Sequence, residues 1–182
     1  MQGRSQPKEL VYAHRMTDQL NRYAPDASEA LRLAARCQHI RRWTIPRGQF
    51  PQGRSGYRDW RETLATFHGD TAAVILRDVG YDEETVRRVR SLLEKERLKS
   101  DPDVQTLEDV ACLVFLQYYL ADFMGEHDEE KIVGILRKTW KKMSDGGRAA
   151  ALQLDLAPGV RALVEGALHD RPETGALHAD FD

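Results

Sequence analysis

Residues able to act on an anion are gathered in one stretch of this chain, Leu31 to Arg61. Between Arg36 and Arg61 stand seven arginines (36, 41, 42, 47, 54, 58 and 61) and one acid, Asp59, a local balance of +6. The whole chain carries −2, so everything outside the stretch sums to −8. A reversal of that size marks a surface that attracts anions, and phosphates are the natural guests. Arg36, Arg42, Arg47 and Arg58 are the candidate phosphate ligands. Trp43 and Trp60 offer flat faces on which a base could stack. His39 lies in the same stretch and is a candidate ligand at the edge of the core; the plainer alternative is a half-buried histidine bonded to backbone.

Two further groups carry chemical potential. His68 falls on the apolar side of a helical pattern, where a histidine is ordinarily a core group with a satisfied hydrogen bond. Asp109 opens the apolar run Val110-Ala-Cys-Leu-Val-Phe-Leu116. A carboxylate buried there needs an answering cation, either a metal or an arginine from the basic stretch. If the helix instead begins at Thr106, Asp109 belongs to a capping variant and is partly exposed.

The elements that must position these groups read as helices throughout. Leu10 to Tyr23 forms the first, closed by Pro25. Asp26-Ala-Ser-Glu29 has the form of a capping box opening the second, which carries His39, with Leu33, Cys37 and Ile40 as its buried stripe. Thr44 to Gly56 holds two prolines and three glycines, which predicts a long basic loop between helices 2 and 3. Tyr57 to Val79 is a third helix, with Trp60, Leu64, Phe67 and Val74, and beside them His68, Ala72, Ile75 and Val79, on its apolar side. Asp82 caps a fourth with Val86, Val89 and Leu93 inward, and Arg90 and Glu94 stand at ion-pair spacing. Asp101-Pro102 starts a fifth that runs to about Met124. Asp128 to Met143 is amphipathic, with Ile132, Ile135, Leu136 and Trp140 inward, and Gly146-Gly147 interrupts it. Arg148 to Leu154 and Val160 to Leu168 are short helices, and residues 170–182 form a loose tail.

The expected fold is therefore all-α, a single-domain bundle of about seven helices over residues 1–169. At 182 residues, 41% hydrophobic and 31% charged, the chain has material for one sizeable core. Cys37 and Cys112 are too far apart in helical runs to suggest a disulfide framework, so a reducing cytoplasm is expected. The first ten residues lack an apolar signal core, and the apolar run Val110 to Met124 is broken by Gln117 and Asp122, so no membrane insertion is expected. No P-loop, nucleophile elbow or HExxH helix occurs. Lys142-Met143-Ser144 is a coincidental fragment of a synthetase signature, since the Gly-rich, His-containing partner motif is missing.

The segments AARCQHIRRWTIPR, YRDWRETLATFH, AAVILRDVGYDEETV, LEDVACLVFLQ and ILRKTWKKMS resemble the bacterial and fungal family catalogued as domain of unknown function DUF4202. The likeness runs over residues 26–152, and the family's name assigns no activity. Its segment order is similar, more loosely, to the HD superfamily of all-helical metal-dependent phosphohydrolases. That resemblance implies a divalent metal that activates water against a phosphoester, with His39 in the place of the first histidine and Asp109 in that of the late aspartate. The adjacent His-Asp pair of that superfamily is absent, and His68 is the nearest substitute. Mixed N and O ligands of this kind suit Mg²⁺, Mn²⁺ or Fe²⁺. A degenerate site would hold no metal and keep the anion pocket. Two functions are thus expected in competition, an HD-like phosphohydrolase acting on a nucleotide or other small phosphoester and a non-catalytic helical module that binds a phosphorylated ligand or RNA, with a scaffold domain whose basic stretch meets an acidic partner as the blander third. No catalytic residue and no oligomeric state is assigned.

Overall fold

Helix starts in this chain are set by side-chain oxygens that take up the free amides of a first turn. Ser28 accepts from the Leu31 amide, Asp82 from Thr85, Asp128 from Lys131 and Ser144 from Gly147. In the computed structural model, which describes residues 6–96, 100–156 and 158–169, these caps open four of the nine α-helices found among the described residues. The helices are α1 (Lys8–Tyr23), α2 (Glu29–Cys37), α3 (Gly53–Asp78), α4 (Glu83–Leu93), α5 (Pro102–Tyr118), α6 (Leu120–Glu126), α7 (Glu129–Lys142), α8 (Asp145–Leu152) and α9 (Pro158–His169). The described residues contain no strand, so the all-α class holds, with more helices than the seven expected. The helix expected from Asp101 to about Met124 is divided into α5 and α6, and the connection expected over Thr44 to Gly56 instead spans 38–52, with 3₁₀ turns at Arg42–Thr44 and Arg47–Gln49, because α3 already begins at Gly53. The expected tail, 170–182, lies outside the described residues.

The chain divides into two compact units, Met1–Val110 and Ala111–Asp182. In the first, α1 packs on α2, α2 on α4 and α4 on α3. Its core is Met16 and Leu20 from α1, Leu31, Ala34 and Ala35 from α2, Leu64, Ala72, Ala73 and Leu76 from α3, Val86, Val89, Leu92 and Leu93 from α4, and Val104, Leu107 and Val110 from α5. Arg88 of α4 binds Asp101 and Asp103 at the start of α5. That guanidinium holds the Asp101 carboxyl down at about 2, and the same carboxyl accepts from the Asp103 amide as the predicted start of α5 requires. In the second unit α7 packs on α9 and on α6. Ile132 and Leu136 are buried on α7, and Arg148 of α8 donates to the Trp140 carbonyl at 3.1 Å.

Four local expectations are corrected. The cap of α2 is Ser28 and not Asp26. That helix ends at Cys37, with Arg41 left-handed at φ 50, and its buried face is Leu31, Ala34 and Ala35 instead of Leu33, Cys37 and Ile40. On α3 the buried face is Leu64, His68, Ala72, Ala73 and Leu76, which leaves Val74, Ile75 and Val79 at 57%, 43% and 66% exposure. Gly146 and Gly147 interrupt no helix: α7 stops at Lys142, and the two glycines form the first turn of α8. Among the described residues no helix is long and apolar enough to cross a membrane.

Candidate functional site

The sharp end of α2 builds the site. After Cys37 the chain runs as a tight turn through Gln38, His39, Ile40 and Arg41 and enters a short 3₁₀ turn, Arg42–Thr44. A left-handed residue costs roughly 1–2 kcal/mol in a non-glycine, so Arg41 must be held by the contacts around it. The turn sends Gln38, His39 and Arg42 to one side. There they meet Arg58, Arg61, Glu62, Leu64, Ala65 and His68 of α3 and Leu93, Glu94 and Lys95 from the end of α4, and the whole set encloses a cleft of about 220 Å³.

The histidines are fixed by neighbours. His39 stacks on Tyr12 of α1, with ring centroids 3.8 Å apart and planes 15° from parallel. The His68 ring is 6.1 Å from that of His39, and its Nδ1 donates to the Ile40 carbonyl at 2.8 Å. A carbonyl oxygen only accepts, so Nδ1 carries the ring hydrogen and Nε2 is left with a lone pair. Burial pushes His39 down to about 2, helped by the charges of Arg42, Arg61 and Lys95 and by His68 itself. Burial also lowers His68 to about 4, partly opposed by its bond to Ile40. Both rings are therefore neutral at physiological pH.

Cations of the cleft differ in what already answers them. Lys95 pairs with Glu108, a buried carboxylate of α5. Arg58 lies 3.7 Å from Asp59 and 3.8 Å from Glu62, all three well exposed. Glu94 is taken by Arg90 at 2.9 Å, the pair expected from their spacing. Arg42 and Arg61 are half-buried, and neither has a carboxylate partner among the described residues. The Arg42 guanidinium lies over the Trp60 ring at 4.5 Å from its centroid. Burial and the nearby Arg61 both press against the charge of Arg42.

The sequence-predicted residues separate accordingly. His39, His68, Arg42 and Arg58 come together in the cleft. Arg36 does not: it is exposed and lines a separate apolar groove with Cys37, Ile40, Arg41 and Trp43. Arg47 is a loop brace, donating to the Phe50 carbonyl at 2.9 Å. Trp43 is 59% exposed on the groove side of the turn. Trp60 gives one face to Arg42 and its Nε1 to the Ile45 carbonyl at 2.9 Å, so it supports an arginine. Asp109 is buried, as the longer α5 requires, but it is not in the cleft lining; it accepts from the Tyr23 hydroxyl and from Gln105, each at 3.0 Å. Among the described residues no three His, Cys, Asp or Glu side chains are grouped so as to hold a metal ion.

Gln38, Arg61 and Lys95 line the cleft without standing out in the sequence as ligand candidates. Arg61 could have been found, because 61, 65 and 68 share one face of a 3.6-residue helix and His68 was already a candidate. Lys95 arrives through the packing of α4 on α3, which leaves no local signal.

The sequence profile of the family described as domain of unknown function (DUF4202) matches residues 1–164, so the chain belongs to that family. No curated protein and no solved structure matches it.

Proposed function

We propose that this member of the DUF4202 family binds a small phosphorylated ligand in the cleft between the α2 turn, α3 and the end of α4. The observation that carries the reading is the pair Arg42 and Arg61, two half-buried guanidiniums in one cleft, neither of which forms an ion pair with a carboxylate among the described residues, although Glu62 and Glu94 share the lining and Glu9 acts on Arg42 from farther off. Crowding like charges raises their energy, and a dianionic phosphate that accepts from both relieves it. Arg58 and Lys95 enclose the same space but are already partly neutralised. At about 220 Å³ the cleft is smaller than the roughly 300–1,000 Å³ typical of drug-sized ligands, which favours a small phosphoester over an RNA strand.

The competing reading, an HD-like metal-dependent phosphohydrolase, needs Asp109 within metal-bond reach of the histidines. His39 and His68 share the cleft, while Asp109 is spent on Tyr23 and Gln105. The residues present do not fit a metal held by His39, His68 and Asp109, and binding needs only the cleft itself, so binding is the stronger reading.

Calorimetric titration of the intact chain with inorganic phosphate at low salt tests the proposal. Replacing Arg61 or Arg42 by Gln removes a hydrogen bond to a charged group, about 1.5–3 kcal/mol, and should weaken binding roughly 10- to 100-fold. Arg36→Gln, on the other side of the turn, should leave the affinity unchanged. Absence of phosphate binding in the unsubstituted protein, or equal binding in the Arg42 and Arg61 variants, overturns the reading.

A further inference from the structure

Phosphate binding leaves two groups of this cleft unexplained. The Oε1 of Gln38 and the Nε2 of His68 are closed to solvent, and neither has a hydrogen-bond partner among the described residues. Gln38 is 7% exposed and His68 4%. Both residues line the cleft, and both orphaned atoms are acceptors, since the His68 ring hydrogen is committed to Ile40. A pocket made for phosphate alone would present donors. An unanswered buried acceptor costs roughly 1–3 kcal/mol, and two in one small cleft point to a ligand that brings hydrogens to them.

Three kinds of ligand group could answer such an acceptor: an ammonium, a metal cation bound directly to its lone pair, or an uncharged donor such as a hydroxyl. The first two must enter a space where four cations, Arg42, Arg58, Arg61 and Lys95, outnumber two carboxylates, Glu62 and Glu94, which already lie against Arg58 and Arg90, and they would meet net like charge there. A hydroxyl meets no such opposition. Building on the phosphate-binding reading, we infer that the cleft takes a phosphoester of a polyhydroxylated skeleton, a sugar phosphate, whose phosphate lies against Arg42 and Arg61 while its hydroxyls donate to His68 Nε2 and Gln38 Oε1.

The discriminating pair of probes is ribose 5-phosphate and tetrahydrofurfuryl phosphate, the same ring and phosphate without the hydroxyls. The intact protein should bind ribose 5-phosphate at least about tenfold more tightly, because a site built around a hydroxyl rejects the analogue that lacks it. In His68→Asn the side-chain amide can still donate to the Ile40 carbonyl, while the Nε2 acceptor is gone. There the preference should shrink to about twofold or less. Gln38→Met, similar in shape and without an amide oxygen, should reduce the preference in the same direction and serves if the His68 variant does not fold. Equal affinity of the unsubstituted protein for the two probes overturns the hydroxyl assignment and leaves the phosphate reading standing. If neither probe nor inorganic phosphate binds, both fall. Stoichiometric Mn²⁺ binding that disappears in His68→Asn would make Nε2 a metal ligand and also overturn the assignment.

Discussion

Acidification should loosen the first unit through its two buried histidines, and the size of the effect follows from their surroundings. His68 has an ordinary value of 6.5 and a folded value of about 4, and His39 falls from 6.5 to about 2. Below pH 6.5 the unfolded chain takes up protons that the folded one refuses. Stability is therefore fully present above that point and is lost as pH falls, through the window 6.5 to 4 for His68 and on toward 2 for His39. Between pH 7.5 and 5.0 the linkage relation gives about 2 kcal/mol for His68 alone, and His39 contributes a loss of the same order. Against a total stability of about 5–15 kcal/mol such a loss is readily measured. Urea denaturation at a series of pH values, followed by the fluorescence of Trp43 and Trp60 in a Trp140→Phe background, isolates the first unit. Comparison with His68→Asn isolates one ring: the stability advantage of the unsubstituted protein should shrink by about 2 kcal/mol from pH 7.5 to 5.0. An advantage that stays constant across that range would refute the claim that the fold holds His68 neutral.

Two structural predictions complete those made for binding. A methyl group at Gly56 would lie 2.0 Å from the Pro51 carbonyl oxygen and 2.7 Å from its carbon, both backbone, so Gly56→Ala should destabilise by about 1–3 kcal/mol or more in thermal denaturation. Asp109→Ala removes the bonds from the Tyr23 hydroxyl and the Gln105 amide and should cost about 1–3 kcal/mol, with phosphate affinity unchanged, since Asp109 is outside the cleft.

The sequence made the helices legible where a chemical signal was local. Asp82 before Glu83-Glu84, Asp101 before Pro102 and Asp128 before Glu129-Glu130 each start a helix where they stand. The exposed Val74, Ile75 and Val79 defeated the reading of α3, because periodicity identifies an apolar face without telling which neighbour covers it. The candidate site was half legible. Charge density located the basic stretch, but it could not say that the turn after Cys37 would part Arg36, Arg41 and Trp43 from His39 and Arg42. That division depends on one left-handed residue, Arg41, whose side chain carries no turn signature. Asp109 is buried, one of the two alternatives the sequence leaves open, but its partners are a tyrosine 86 positions away and a glutamine one turn back instead of the expected cation, and the tyrosine follows only from tertiary packing.

The early end of α2 is also a choice about one oxygen atom. Had the helix run on, the Ile40 carbonyl would have been claimed by the Thr44 amide, four residues ahead. Thr44 bonds instead to Arg41, and the oxygen of Ile40 receives the proton of His68. The oxygen has two lone pairs and could accept from both, so what the turn decides is its direction, out of the helix axis and toward the histidine. Strengthening this segment as a helix, by the substitutions that usually stabilise proteins, would swing that carbonyl back along the helix axis and away from the histidine. The residues from Gln38 to Thr44 are a place where improving local order should come at the expense of recognition.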